Sequence, residues 1–183
     1  MNKNEFAQLL LEESFRINEI SQTVEAKSLS DTRKKLLDGL KTLGKNSDIK
    51  LLVEFEKQIL QIDLVHHANS NAMKSSLKTA VNELDVILRH LKVIENPEAY
   101  KAVNEAYSLP KNRQNSLPID EARQAFKSHF TRLVNLDKSR LNDEEKRIID
   151  VRKANISVAK KLYIEKQEQA LGIVQSKTRQ IKH

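Results

Sequence analysis

Cysteine and tryptophan are absent from this chain of 183 residues, and only three glycines and three prolines occur in it. Without cysteine the chain can form no disulfide, no zinc–thiolate site and no cysteine nucleophile. Sheet proteins need a turn about every 8–12 residues, usually made with glycine, proline, asparagine or aspartate. Because the two strongest turn formers are so scarce, and because Lys, Glu, Gln, Leu and Ala are abundant, the sequence predicts helices.

Long apolar runs are lacking as well. No stretch approaches the roughly 18 apolar residues that span a bilayer, so no membrane span is predicted. The first residues lead directly into an amphipathic pattern without the apolar run of a signal peptide, and a cytoplasmic location is expected. No glycine-rich phosphate loop, zincin motif or nucleophile elbow is found, and no cofactor is expected.

The charge of the chain is distributed unevenly. Its formal net charge is +7. Residues 1–95 carry 14 basic and 14 acidic side chains, whereas residues 96–183 carry 18 basic and 11 acidic ones, so the entire excess lies in the second part. Such an asymmetry indicates an acidic partner, usually nucleic acid or anionic lipid, although a lysine-rich face that is merely solvated gives the same count.

Apolar residues recur at three- and four-residue steps along most of the chain, which predicts an all-α fold. We expect one domain over residues 1–183, an up-and-down bundle of five to six helices with a projecting basic C-terminal helix. Its parts are a charge-neutral helical half (1–95), a basic middle (97–140) with a loop at 108–118, and a long basic C-terminal helix (141–183). Gly44 is placed to cap a helix with a left-handed residue.

The most regular segment covers residues 48–95, where an apolar stripe continues for over forty residues without glycine or proline. This pattern is typical of a coiled coil or a long bundle helix. The stripe predicted to mediate helix pairing consists of Leu52, Phe55, Ile59, Ile62, Met73, Leu84, Ile87 and Leu91.

The stripe becomes polar at residues 66–71. Either the helix breaks there into a hairpin, or it continues through a polar layer that sets the register of pairing. Since no glycine or proline is present to stop it, we expect one continuous, coiled-coil-like helix.

Residues 118–139 are expected to form a helix with Phe126 and Phe130 turned inward. Asn142 is placed to cap the last helix, and it is followed by acidic residues in the first turn of that helix. That helix has apolar residues over a broad arc at first, but they become sparse after Glu165, so its end is expected to protrude or to pair with a partner.

Arg123 and His129 are separated by five residues. This spacing resembles the Arg-x4–6-His element of HEPN-type helical ribonucleases. The resemblance implies that the arginine would steady a phosphate and that the histidine would take part in 2′-hydroxyl chemistry. It covers these two positions only, and Gln124 follows the arginine where the family usually has Asn, Asp or His.

Asp63 and His67 stand four residues apart, a spacing at which two side chains on one helical face can share a metal ion. A metal site needs more ligands than these two, and nearby carboxylates are sparse. The sequence therefore predicts a hydrogen bond on the helix face, and no metal site.

Basic side chains in the second part are the stronger indication of function. Those expected to contact nucleic acid or another acidic partner are Lys111, Arg113, Arg123, Lys127, Arg132, Arg147, Lys153, Lys160 and Lys161. Lys146, Lys153 and Lys160 share one helical face, and such a row can follow a phosphate backbone. Few aromatic residues are available to stack on bases, so sequence-specific reading of single strands is not expected.

Three functional hypotheses follow. The first is a non-catalytic interaction or scaffold subunit whose amphipathic helices pair with a protein partner or with a second copy, and whose basic half contacts an acidic partner. The alternative is a nucleic-acid-binding protein that contacts the phosphate backbone without sequence preference. The third is a helical ribonuclease that uses Arg123 and His129.

Overall fold

The computed structural model describes residues 2–19, 25–44, 48–107, 118, 120–136 and 138–172. All regular structure within these ranges is helical, as the sequence predicted, but seven α-helices are present where five or six were expected. They are α1 (Lys3–Glu19), α2 (Ala26–Leu43), α3 (Ile49–Ile62), α4 (Asn71–Ile94), α5 (Pro97–Tyr107), α6 (Glu121–Val134) and α7 (Asp143–Ala170). A π-helical turn (Asp63–His67) follows α3, and a 3₁₀ turn (Lys138–Arg140) precedes α7. None of the helices described is long and apolar enough to cross a membrane.

The expectation of one continuous helix over residues 48–95 is wrong. The backbone leaves the helix at Ala68, where φ is −78° and ψ is 108°. Ser70 then caps α4, because its hydroxyl oxygen accepts a hydrogen bond from the Met73 amide at 3.1 Å. The polar residues interpreted as a register-setting layer instead provide a break and a helix cap.

The chain reverses at this break, and α3 packs against α4. Lys57 on α3 and Asp85 on α4 form an ion pair at 2.6 Å, so residues far apart in the sequence lie side by side. In the hairpin the apolar faces of α3 and α4 bury each other, whereas in one continuous helix they would remain exposed to water. The hairpin is therefore the more stable arrangement.

The predicted pairing stripe lies in the interior of this chain. Its buried members are Leu52, Phe55, Ile59, Ile62, Leu84, Ile87 and Leu91, all in one hydrophobic cluster, while Met73 is half-buried. The described helices of the chain itself therefore cover most of the surface that was expected to meet a partner.

α3 occupies the centre of the packing, in contact with α1, α2, α4 and α7, while α6 packs against α4 and α7.

Several helix ends carry the expected signals. Gly44 has φ of +71° and ψ of −174°, and its amide donates to the Leu40 carbonyl. The predicted C-cap position and positive φ are confirmed, but the ψ angle is extended and not that of the left-handed helix. Asp48 caps α3 by accepting from the Lys50 amide at 2.8 Å.

α7 does not project from the other helices within the described range. Tyr163 and Gln167 are buried, and the Gln167 side-chain amide donates to the Tyr100 hydroxyl at 2.6 Å and to the Tyr163 hydroxyl at 3.2 Å. These bonds hold the last turns of α7 against α5. The predicted loop at 108–118, apart from Pro118, and the chain after residue 172 lie outside the described residues.

Gly39 on α2 packs closely against the Phe55 ring of α3. A Cβ atom at this position would stand 2.6 Å from Cε2 of the buried Phe55 ring and 3.1 Å from Cδ1 of Leu10. Real Cβ contacts are longer, so glycine is required for the helices to pack at this distance.

Gly39→Ala is expected to lower the free energy of unfolding by about 1–3 kcal/mol, because the Phe55 ring must move in a packed core. Helix propensity alone predicts the opposite sign, a gain of about 1 kcal/mol. Urea unfolding followed by circular dichroism measures the difference. Lys34→Ala, an exposed substitution in the same helix, serves as the control, and a Gly39→Ala protein more stable than wild type contradicts the packing.

Candidate partner-binding surface

The first turn of α7 is fixed by its cap and by ion pairs to α2. The Asn142 side-chain oxygen accepts from the Glu145 amide at 2.8 Å, as the sequence predicted. Glu144 pairs with Lys41 at 3.2 Å, and Glu145 pairs with Arg33 at 3.4 Å. Acidic residues in this turn also complement the positive end of the helix dipole.

One side of α7 is buried along its length. Its buried residues are Ile148, Ile149, Arg152, Asn155, Ile156, Ala159, Tyr163 and Gln167. They recur at steps of one, three and four residues, so they form a single face, and the opposite side of the helix is turned to solvent.

The outward side of α7 carries the basic residues. We call the set formed by Lys146, Arg147, Lys153, Lys160 and Lys161 the basic face. Its members at positions 146, 147 and 161 are exposed, and those at 153 and 160 are half-buried at its edge. Asp150 is the single acidic residue between positions 146 and 161, so positive charge dominates this surface.

Few contacts within the described chain neutralise this charge. Lys153 pairs with Asp150 at 3.3 Å, but the aspartate side chain is 78% exposed, and such surface pairs contribute little. The Arg147 Nε donates to the Asp143 carbonyl at 3.3 Å. Lys146, Lys160 and Lys161 form no ion pair with any described residue. The basic face is therefore available to an external anion.

The other predicted basic residues divide into three groups. Arg123 and Arg132 are held by partners in the chain, Arg123 by Gln167 and by Glu168 at 3.9 Å, and Arg132 by Glu83 at 2.9 Å. Lys127 on α6 is exposed. Lys111 and Arg113 fall outside the described residues. Only Lys127 thus extends the basic face onto a second helix.

A buried cluster of charges lies beneath these helices. The Glu56 carboxylate on α3 accepts from Arg152 Nη2 on α7 at 2.7 Å and stands 2.8 Å from His129 Nε2 on α6. Burial acts to raise the pKa of Glu56, but Arg152 and His129 outweigh it and hold the pKa at about 2. Glu56 is therefore ionised in the folded protein, with Arg152 as its counter-charge.

His129 is neutral in this cluster. Arg132 Nη1 lies 2.8 Å from His129 Nδ1, and because arginine only donates, Nδ1 accepts. Nε2 then carries the proton and donates it to Glu56. Burial lowers the pKa of His129, and the charges of Arg152 and Arg132 lower it further, although Glu56 opposes them.

The structure does not bring Arg123 and His129 together. They are six residues apart on α6, which places them on different sides of the helix. Arg123 reaches Gln167 near the end of α7, whereas the His129 side chain is 1% exposed and uses both ring nitrogens within the core. The arrangement implied by the ribonuclease resemblance, an arginine and a histidine facing one phosphate, is not present.

Asp63 and His67 lie in the π-helical turn. The Asp63 carboxylate pairs with Arg33 at 2.8 Å and is 3.9 Å from His67 Nε2. Because an arginine occupies the carboxylate, it is a poor metal ligand here. In the part of the chain that the structure describes, no three His, Cys, Asp or Glu residues are grouped to hold a metal ion.

The buried Glu56–Arg152 pair was missed by the sequence reasoning, although a signal was present. Glu56 stands four residues after Leu52 and three before Ile59, which places a carboxylate on the apolar stripe. Arg152 likewise stands on the apolar face of α7. Charged residues at core positions of two helices indicate a buried ion pair.

Phe130, expected to face inward, is 37% exposed, and this expectation is wrong.

No protein-family model matches this chain, and comparisons with curated proteins and with solved structures find no match either.

Glu56→Gln is expected to lower the free energy of unfolding by about 3–5 kcal/mol, because it leaves Arg152 charged and buried without a counter-charge. Glu83→Gln is the matched control. It removes the partner of Arg132 at the half-buried surface and is expected to cost about 1 kcal/mol or less. Chemical unfolding of both variants gives the comparison, and equal effects would argue against a buried cluster.

Acid is expected to destabilise the protein in two steps. Below about pH 6.5, His129 is protonated in the unfolded chain but stays neutral in the folded chain, because its pKa is lowered there. Through this group, the free energy of unfolding therefore falls by at most about 1.4 kcal/mol for each pH unit. Glu56, with a folded pKa of about 2 against an ordinary value of 4.5, adds a further loss as pH falls from 4.5 towards 2.

Urea unfolding at about pH 7.5, 6.5 and 5.5 measures the first step. His129→Gln is expected to reduce the slope of unfolding free energy against pH in this range. A variant with the wild-type slope would show that His129 does not titrate differently in the two states.

Proposed function

We propose that this chain is a non-catalytic binding module that contacts an acidic partner through the basic face of α7. The observation that carries the proposal is the composition of that face, five cations with one carboxylate among them. Three of the cations have no ion pair with the described residues. These cations repel one another, and a negatively charged partner would reduce that repulsion on binding. The bound state is therefore favoured.

The interior packing directs the proposal to this face. The stripe expected to pair with another chain is largely covered by the described helices, so it offers little surface to a partner. The basic face is turned outward by the same packing, since its opposite side on α7 is buried. Of the surfaces predicted from the sequence, this one both remains accessible and has a chemical preference.

The dimensions of the face suit an extended partner. Lys146 and Lys160 are fourteen residues apart, or about 21 Å along the helix axis. A surface of that length spans several carboxylates on an acidic protein segment. Binding should weaken as salt is added, because exposed charges are screened within about 8–10 Å at physiological ionic strength.

Nucleic acid is the second candidate partner. Lys146, Lys153 and Lys160 repeat at seven-residue intervals on one side of α7, and a straight row of cations can follow a phosphate backbone. If about three to five phosphates are contacted, the slope of log affinity against log salt should be about −2.7 to −4.5 for a duplex. This slope separates backbone binding from a weak general attraction.

The test is fluorescence anisotropy with two labelled probes, a poly-glutamate peptide and a generic DNA duplex, at low and near-physiological salt. Wild type is expected to bind at least one probe at low salt, with affinity that falls as salt increases. Lys153→Glu/Lys160→Glu/Lys161→Glu reverses the centre of the basic face and is expected to abolish binding, because attraction becomes repulsion.

The matched control is Lys74→Glu/Lys78→Glu/Lys92→Glu. These three lysines are exposed on α4, so the net charge changes equally while the basic face is retained. Equal loss of binding in both triple variants would show that net charge, and not this face, attracts the probes. Absence of binding to either probe at low salt would refute the proposed function.

A further inference from the structure

α6 runs antiparallel beside the basic face. Arg123 near the start of α6 contacts Gln167 near the end of α7, and the rings of Phe126 and Tyr163 have centroids 5.6 Å apart. Residue numbers therefore fall along α7 as they rise along α6. Continuing this register places Phe130 level with Lys160.

The side of α6 that borders α7 is partly apolar. Arg123, Lys127, Phe130 and Val134 follow one another at steps of four, three and four residues, so they share a side of the helix. Arg123 shows that this side is directed to α7, since it bonds there. Phe130 is 37% exposed and Val134 is 46% exposed.

Two exposed apolar side chains are thus flanked by basic ones. Lys127 stands one turn before Phe130 on α6. Lys160 and Lys153 are seven and fourteen residues before Gln167, which contacts Arg123, so both lie on the side of α7 that is directed to α6. We call these five residues the α6–α7 surface. An apolar centre with a charged rim is the anatomy of a protein–protein interface.

We propose that the α6–α7 surface binds an acidic amphipathic helix of a partner protein. Apolar residues of that helix would cover Phe130 and Val134, and its carboxylates would pair with Lys127, Lys153 and Lys160. Recognition of a helix by its apolar face in a shallow groove is a recurrent binding mode. This inference rests on the proposed function and specifies the chemistry of the partner.

Pairing with the lysines requires only carboxylates in the partner. Covering the exposed side chains of Phe130 and Val134 requires an apolar stripe as well. Covering Phe130 and Val134 with apolar groups is favourable in proportion to the area removed from water, whereas a phosphate backbone or a polar acidic chain offers little to cover them. A partner with both carboxylates and an apolar stripe uses every feature of the surface.

Membranes and nucleic acids fit this surface less well. The apolar part of this surface consists of two side chains, whereas a helix that binds a membrane surface buries a whole apolar face about 5–10 Å into the bilayer. Single-stranded nucleic acid is held by successive aromatic platforms, and Phe130 is the one aromatic residue in this surface.

The experiment uses fluorescein-labelled peptides of about 18 residues, which as a helix extend about 27 Å and therefore cover the surface from end to end. The first has Leu at i, i+3, i+4 and i+7 spacing with Glu on its other faces. The second has the same composition in scrambled order, so its charge is equal but its apolar stripe is lost. Duplex DNA and vesicles of phosphatidylserine and phosphatidylcholine are the competing probes.

Wild type is expected to bind the amphipathic peptide about ten-fold or more tightly than the scrambled one, as burial of two apolar side chains implies. Phe130→Ser/Val134→Ser is expected to remove this preference and to leave the weaker binding of the scrambled peptide unchanged. Phe6→Ser/Leu9→Ser removes an apolar pair on α1 that is at least as exposed as Phe130 and Val134, and is expected to keep the preference. Circular dichroism confirms that each variant is folded.

Equal affinity for the two peptides would overturn this inference while leaving a charge-driven binding module in place. Tighter binding to the duplex or to the vesicles than to the amphipathic peptide would also overturn it. If none of the acidic probes binds wild type, the proposed function fails together with the inference.

Discussion

A single buried carboxylate joins three helices of this protein. Glu56 on α3 is bonded by His129 from α6 and by Arg152 from α7, and all three side chains are shielded from water. A buried charge is tolerated only when its partners are in place, so rotating α7 by one residue would leave Glu56 uncompensated. The contact that determines which side of α7 is inside therefore also determines which side meets solvent.

A second polar contact holds the other end of α7. Gln167 bonds the hydroxyls of Tyr100 and Tyr163, which places the last turns of the helix against α5. Polar groups buried at two points, about four turns apart on the same helix, restrict both its rotation and its sliding. Apolar contacts between helices tolerate small shifts more readily, since one methyl group can replace another. The outward position of the basic residues follows from these two contacts.

Helical content and the core positions were predictable from the sequence, because apolar periodicity reports directly on burial, and Leu52, Ile59 and Leu84 are in the core as expected. The hairpin after α3 was not indicated by any glycine or proline, since the break is made by the Ser70 cap and by packing of the two arms. Pairing of buried charges was also missed, because it depends on which helices become neighbours. Phe130 is exposed because it shares a side of α6 with Lys127 and Val134, whereas the buried residues of that helix lie on another side.

The segregation of charge in this chain has a consequence for how quickly it meets a partner. The five cations of the basic face lie on one side of α7 with Asp150 as the single acidic residue among them, so positive charge is concentrated on one part of the described surface. A local concentration of charge of one sign orients an approaching acidic molecule before contact, and this raises the fraction of collisions that arrive in a productive orientation. Steering of this kind acts on the association rate constant more than on the lifetime of the complex. It operates over about 8 Å at physiological salt and over about 30 Å in dilute buffer of 0.01 M ionic strength.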